Sequence, residues 1–227
     1  MTFDEIFQAY YSLFRADSDV PPSDDDEYIT AMRLANEAIN RWAFYDNTYW
    51  KELFQTLQLS EDGDSTVVSG QTDYEAPGDF QEAGGQIAIK DSDGKTVQTY
   101  RIIEPQEVQF QSDLGTYAYF TGDPANGYVL HLNPAPDTSL SGNSIDYTYY
   151  KQPTIFTTGT DVSECPDPYF IVNRMLAQVF RANRNPYYQS AKNDAENALK
   201  QMQMTNNSGS WANPWTIADN SNTTFGR

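Results

Sequence analysis

The sequence predicts an α+β protein: an antiparallel helical bundle built from N- and C-terminal helices, an inserted small antiparallel β-sandwich or barrel, and an extended C-terminal tail. Three observations carry this. Apolar residues recur at helical spacing near both ends of the chain, and a middle stretch punctuated by Gly and Pro holds short alternating runs. The final residues lose periodicity while keeping large apolar side chains.

Taken in order, Thr2 followed by Glu5 is a capping-box pattern, and Phe3, Ile6, Phe7, Tyr10, Leu13 and Phe14 share one helical face. Asp17 to Pro22 breaks that helix. A second start signal stands at Ser23, with Asp24, Asp25, Asp26 and Glu27 in the first turn, where the helix dipole favours negative charge. Tyr28, Met32, Ala35, Ala38, Ile39 and Trp42 form its stripe. A third helix is expected over Tyr49 to Leu59, with Trp50, Leu53, Phe54 and Leu57 facing inward.

From about Ser60 to Phe156 the expectation changes to strands: Gln86–Ile89, Val97–Ile103, Thr116–Phe120, Tyr128–Leu132 and Ile145–Tyr150. Turn chemistry separates them, at Asp91-Ser92-Asp93-Gly94, Gly122-Asp123-Pro124, Asn126-Gly127 and Ser141-Gly142-Asn143. Helix resumes after Pro168, with Tyr169, Val172, Leu176, Val179 and Phe180 on one face. Asn185-Pro186 interrupts it, and Ala191, Ala195, Ala198, Leu199 and Met202 continue. The expected division is 1–59 for the N-terminal helices, 60–156 for the inserted β domain, 157–205 for the helices completing the bundle, and 206–227 for an arm.

The chain has 227 residues, 32 acids against 14 bases, and a net charge of −18. Aromatics make up 14%, which separates it from disordered acidic chains, and its length suffices for a hydrophobic core. The charge balance is the reverse of a nucleic-acid-binding surface and opposes docking on anionic membranes. Its distribution is uneven. Residues 1–30 hold 8 acids and 1 base, residues 61–150 hold 15 acids and 3 bases, and residues 151–227 hold 6 acids and 7 bases. No run approaches the roughly 20 apolar residues of a membrane-spanning helix. The first residues lack a signal-peptide pattern, and the single cysteine, Cys165, fits a reducing compartment.

Catalytic and metal motifs are weak. Asp62-Gly63-Asp64 and Asp91-Ser92-Asp93-Gly94 lack the ligand spacing of a calcium loop and read as polar turns. His131, the only histidine, lies in an apolar strand and reads as a hydrogen-bonded or solvent-facing side chain. Cys165 has no partner histidine at a definable distance, and neither a phosphate-cradling loop nor a nucleophile elbow is present. No enzyme, cofactor or metal is therefore expected. The tail is more informative: Trp211, Trp215, Ile217 and Phe225 cannot form a core of their own, and they suit either a segment that folds back on this chain's own surface or, the favoured reading, an arm that orders on a partner surface.

Three stretches resemble the head-to-tail connector adaptors of tailed bacteriophages, in particular the tail tubular protein A type. They are the acid-capped helix Asp24-Asp25-Asp26-Glu27 through Ala35-Asn36-Glu37-Ala38-Ile39-Asn40 to Trp42 and Trp50; the strand end Tyr147-Thr148-Tyr149-Tyr150-Lys151-Gln152-Pro153; and Cys165-Pro166-Asp167-Pro168-Tyr169-Phe170-Ile171-Val172, opening a helix through Phe180 and Arg184 to Ala191, Ala195 and Leu199. The resemblance spans about residues 20–205. It implies a virion neck protein assembled in the host cytoplasm, forming a homo-oligomeric ring, usually of twelve copies. That ring binds the portal protein, extends the DNA channel and receives a tail or nozzle protein. It also implies a C-terminal arm on the portal, here Trp211, Trp215, Ile217 and Phe225, with genomic DNA passing unbound. The rival readings are another virion component, such as a tail-completion or capsid-decorating protein, and a carbohydrate-binding or carbohydrate-processing protein using the Tyr-rich β domain.

Overall fold

A computed structural model describes residues 1–15, 20–58, 66–110 and 115–208. The chain divides into two compact units: the described residues of Met1–Glu52 with those of Pro153–Arg227, and those of Leu53–Gln152. The first is helical. Helix α1 (Phe3–Arg15) opens with the expected capping box, in which Thr2 N–H donates to Glu5 Oε2 (2.9 Å) and Glu5 N–H donates to Thr2 Oγ1 (3.3 Å). Helix α2 (Asp26–Ala43) starts later than Ser23, because the Asp25 carboxylate takes the N-cap and accepts from Glu27 N–H at 2.7 Å. The Tyr28 ring meets Phe3 and Phe7 edge to face, with centroids 5.1 and 5.0 Å away, and Phe156 packs on Phe3 at 5.3 Å.

Asp167 caps helix α3 (Pro168–Ala182), with Pro168 at its start. Helix α4 (Tyr188–Ser208) follows the Asn185-Pro186 break. Helix α3 packs against α1, α2 and α4, so helices from both ends of the chain share one core. Val172 and Leu176 are buried as expected, together with Phe170, Ile171 and Met175, whereas Tyr169, expected on the same face, is 57% exposed. A helix contacted by three others needs a wide apolar stripe, which the choice of Tyr169 as a marker missed. Leu13, expected inside, is also exposed.

The third helix expected over Tyr49–Leu59 does not form. A 3₁₀ turn at Lys51–Leu53 leads into strand β1 (Phe54–Gln58). Phe54, Leu57 and their neighbours fit a helical stripe and a short strand equally well by periodicity. Pairing with β8 (Ser144–Lys151) decides it: Phe54 aligns with Tyr150, and their rings lie 5.3 Å apart.

The second unit is a curled sheet of eight strands. Besides β1 and β8 these are β2 (Asp73–Glu75), β3 (Phe80–Ala83), β4 (Ile87–Lys90), β5 (Thr96–Ile102), β6 (Tyr117–Asp123) and β7 (Gly127–Asn133). The order is β1-β8-β4-β5-β6-β7-β2, with β3 also on β8. Two expectations need correction. The strands form a half-barrel from a single continuous sheet, and the sheet is mixed, since β5 and β6 pair in parallel through Arg101↔Tyr117 and Ile102↔Ala118. A parallel neighbour cannot be reached by a tight hairpin, and the connection from β5 to β6 accordingly includes a 3₁₀ turn at Pro105–Phe110. Alternate residues Ile87/Ile89, Leu130/Leu132 and Ile145/Tyr147/Tyr149 fill one core. The buried Asp146 carboxylate meets Lys90 Nζ at 2.6 Å and accepts from Ser144 Oγ.

One loop of the helical unit carries a pH-dependent contribution. The Asp161 carboxylate accepts from the backbone N–H groups of Thr157 (2.6 Å) and Thr158 (2.7 Å) and from both their hydroxyls. These bonds hold its carboxyl well below the ordinary range. A carboxyl lowered on folding stabilises the native state fully above its unfolded pKa of about 3.9 and loses that contribution as pH falls toward the native value. Thermal melts should therefore show wild type above Asp161→Asn at pH 7, with the gap shrinking below about pH 4. A gap constant from pH 7 to 2.5 contradicts the assignment.

Candidate interaction surfaces

The last turns of α4 lead toward the segment expected to act as an arm, and they are firmly placed. Asn206 Nδ2 donates to Tyr49 O (2.8 Å), Asn206 Oδ1 accepts from Lys51 N–H (3.2 Å), and Gln203 Nε2 donates to Thr48 Oγ1 (2.9 Å). Beside these contacts lies a pocket of about 270 Å³ whose walls include Glu52, Pro166, Met202 and Thr205. Glu52 Oε2 is buried there without a hydrogen-bond partner among the described residues. Trp211, Trp215, Ile217 and Phe225, the expected arm residues, lie outside the described residues.

The candidate chemical residues are scattered. Cys165 is buried, its Sγ 3.4 Å from Asp167 O and 3.7 Å from Met202 Sδ, and burial pushes its thiol up to about 12. Such a thiol is protonated at neutral pH and packs as a small apolar group. His131 joins three strands: its Nε2 lies 2.6 Å from Thr121 Oγ1 on β6, and its Nδ1 lies 2.8 Å from Asp73 Oδ1 on β2. The ring stacks on Tyr119 at 4.7 Å, and its hydrogen bond holds the Asp73 carboxyl below its ordinary value. The trio has the order of a proton relay. With Thr121 and Asp73 exposed, its evident work is to tie the three-residue β2 to β7 and β7 to β6. Asp91 closes the β4–β5 turn by accepting from Asp93 and Lys95 N–H, as a polar turn does. Asp62-Gly63-Asp64 lies outside the described residues.

Sequence reasoning missed the α3–α4 turn. No acid occurs between Asp167 and Asp194, while Arg174, Arg181, Arg184 and Lys192 add positive charge. Counting residues 151–227 as one block concealed this. Arg181 and Arg184 are exposed, and Tyr187 is 68% exposed beside them.

The chain matches the family described as SU10 adaptor protein over residues 1–218. It belongs to that family. No curated protein matches the chain. Membership makes this a bacteriophage structural adaptor, a class that is not enzymatic, and its place is the virion. An adaptor of this family interacts with other head or tail components. Among the described residues no helix is long and apolar enough to cross a membrane.

Proposed function

We propose that this SU10-family adaptor forms the connector ring between portal and tail, in the manner of the tail tubular protein A type. The observation that carries the reading is the family match, which runs through both units and past the end of α4. In this reading the helical unit is an antiparallel bundle and the ring body. The β unit faces tail or nozzle proteins or neighbouring subunits. The residues after α4 form an arm, with Trp211, Trp215, Ile217 and Phe225 gripping the portal; the expected start at 206 gives way to the end of that helix, which holds Asn206. Twelve copies assembled in the host cytoplasm would close such a ring through head-to-tail contacts between unlike faces.

Charge supports the role assigned to DNA. A conduit must pass the duplex without holding it, and a chain of net charge −18 repels phosphate where a basic groove would bind it. The arm is tested by ending the chain at Ser208. The hydrogen bonds of Gln203 and Asn206 remain in that variant, so it should fold with an unchanged circular-dichroism spectrum yet fail to co-sediment with portal-bearing heads. Co-sedimentation equal to that of the full chain overturns the arm.

A further inference from the structure

The α3–α4 turn is cationic in an anionic protein, and one of its cations occupies a backbone conformation that side chains rarely adopt. The turn closes helix α3 with the six-to-one hydrogen bond of a Schellman motif, Asn185 N–H donating to Phe180 O at 2.8 Å. The left-handed residue of that motif is usually glycine, yet here it is Arg184, at φ +51°. Among the described residues neither Arg181 nor Arg184 belongs to an ion pair. Exposed Tyr187 stands beside them, and Arg and Tyr are both among the residue types enriched at protein interfaces.

An opposite surface lies at the same end of the helical unit. The last turn of α1 touches α3 through Phe14, whose ring is 6.4 Å from that of Phe180, and touches the start of α2 through the Arg15–Glu27 ion pair. The start of α2 presents Asp24 and Asp26, both exposed, beside Ile29, which is 57% exposed. One unit thus offers two carboxylates with an apolar side chain at the start of α2, and two guanidiniums with an aromatic ring at the end of α3, with the last turn of α1 in contact with both helices. Neighbours in a closed ring meet through different flanks at the same height.

We propose that the α3–α4 turn, through Arg181, Arg184 and Tyr187, docks on the start of α2, at Asp24, Asp26 and Ile29, of a second copy of this chain. The proposal rests on the ring reading and names its subunit contact. Guanidinium–carboxylate pairing fixes register across such a contact, and Tyr187 with Ile29 supplies apolar area. A DNA duplex is the poorer occupant, because the carboxylates at the same end oppose its phosphates.

The test uses the full chain carrying Asp24→Cys and Arg184→Cys together. Mild oxidation of the assembled protein should give a ladder of disulfide-linked multimers on a non-reducing gel. Each single-cysteine chain should give no ladder, with buried Cys165 as an inert background. In parallel, R181E/R184E should weaken self-association by roughly tenfold or more in native mass spectrometry, and mixing it with a D24K/D26K chain should restore co-assembly. A wild-type ring with no ladder, undisturbed by R181E/R184E, overturns this contact and leaves the ring standing. Wild-type chains that close no ring, free or on portal-bearing heads, overturn the ring and this contact together. Duplex DNA retained by wild type and lost in R181E/R184E, with assembly unchanged, reassigns the turn to nucleic acid and overturns the proposal.

Discussion

Replacing Trp50 by alanine should destabilise the helical unit by about 3–5 kcal/mol and lower its melting temperature by roughly 10 °C. Trp50 is 1% exposed and its ring lies 5.5 Å from that of Trp42, itself fully buried. The substitution removes one of the largest side chains of that core and leaves a cavity that the packed surroundings fill only in part. It also removes the hydrogen bond from Trp50 Nε1 to Trp42 O (2.8 Å), which holds the 3₁₀ turn after α2 to the helix end. Trp50→Phe separates the two effects, since it keeps most of the apolar area but lacks the donor, and should cost about 1–2 kcal/mol. Chemical denaturation followed by tryptophan fluorescence and far-ultraviolet circular dichroism measures both. Equal losses in the two variants would show that the hydrogen bond and not packing dominates.

The second large effect is expected at Gly122, near the end of β6. Its φ is +122°, and a Cβ there would stand 2.2 Å from Gly127 O and 2.9 Å from Tyr128 Cα, both backbone atoms of the paired strand. Neither can rotate away, so Gly122→Ala must separate β6 from β7. About 3 kcal/mol of backbone strain is the expected loss. Gly127→Ala is the comparator. That residue is also left-handed, at φ +85°, but an added Cβ meets nothing within 4 Å. Strain without collision should cost about 1 kcal/mol. Amide hydrogen exchange should report loss of protection at Thr121 and Val129 in Gly122→Ala alone. Similar exchange in the two variants would sink the collision account.

Where the sequence was readable, the information was local. The capping box of Thr2 and Glu5, the Pro168 start and the Asn185-Pro186 break each depend on residues within one turn, and each stands where expected. Strands β4 to β8 were readable because alternation and turn residues occur together. The short β2 and β3 escaped notice, since Asp73-Tyr74-Glu75 has little apolar pattern and exists as strand through pairing with β7. Among the interaction surfaces, the cationic turn was readable in principle as the acid-free stretch after Asp167. Its exposure, and the left-handed geometry of Arg184, were not.

By itself, then, the sequence determined the order of helix, strand and helix along the chain, the capping box that starts α1 and the uneven distribution of a net charge of −18. These follow from neighbours a few bonds apart. Tertiary structure alone decided that Phe54–Gln58 is a strand, that β5 and β6 run parallel, and that the last turn of α1 touches both the acidic start of α2 and the end of α3. The physical reason is common to all three. A five-residue segment has no preference strong enough to fix its own state, so pairing with β8 chose for Phe54–Gln58, just as packing brought the start of α2 and the end of α3 to the last turn of α1.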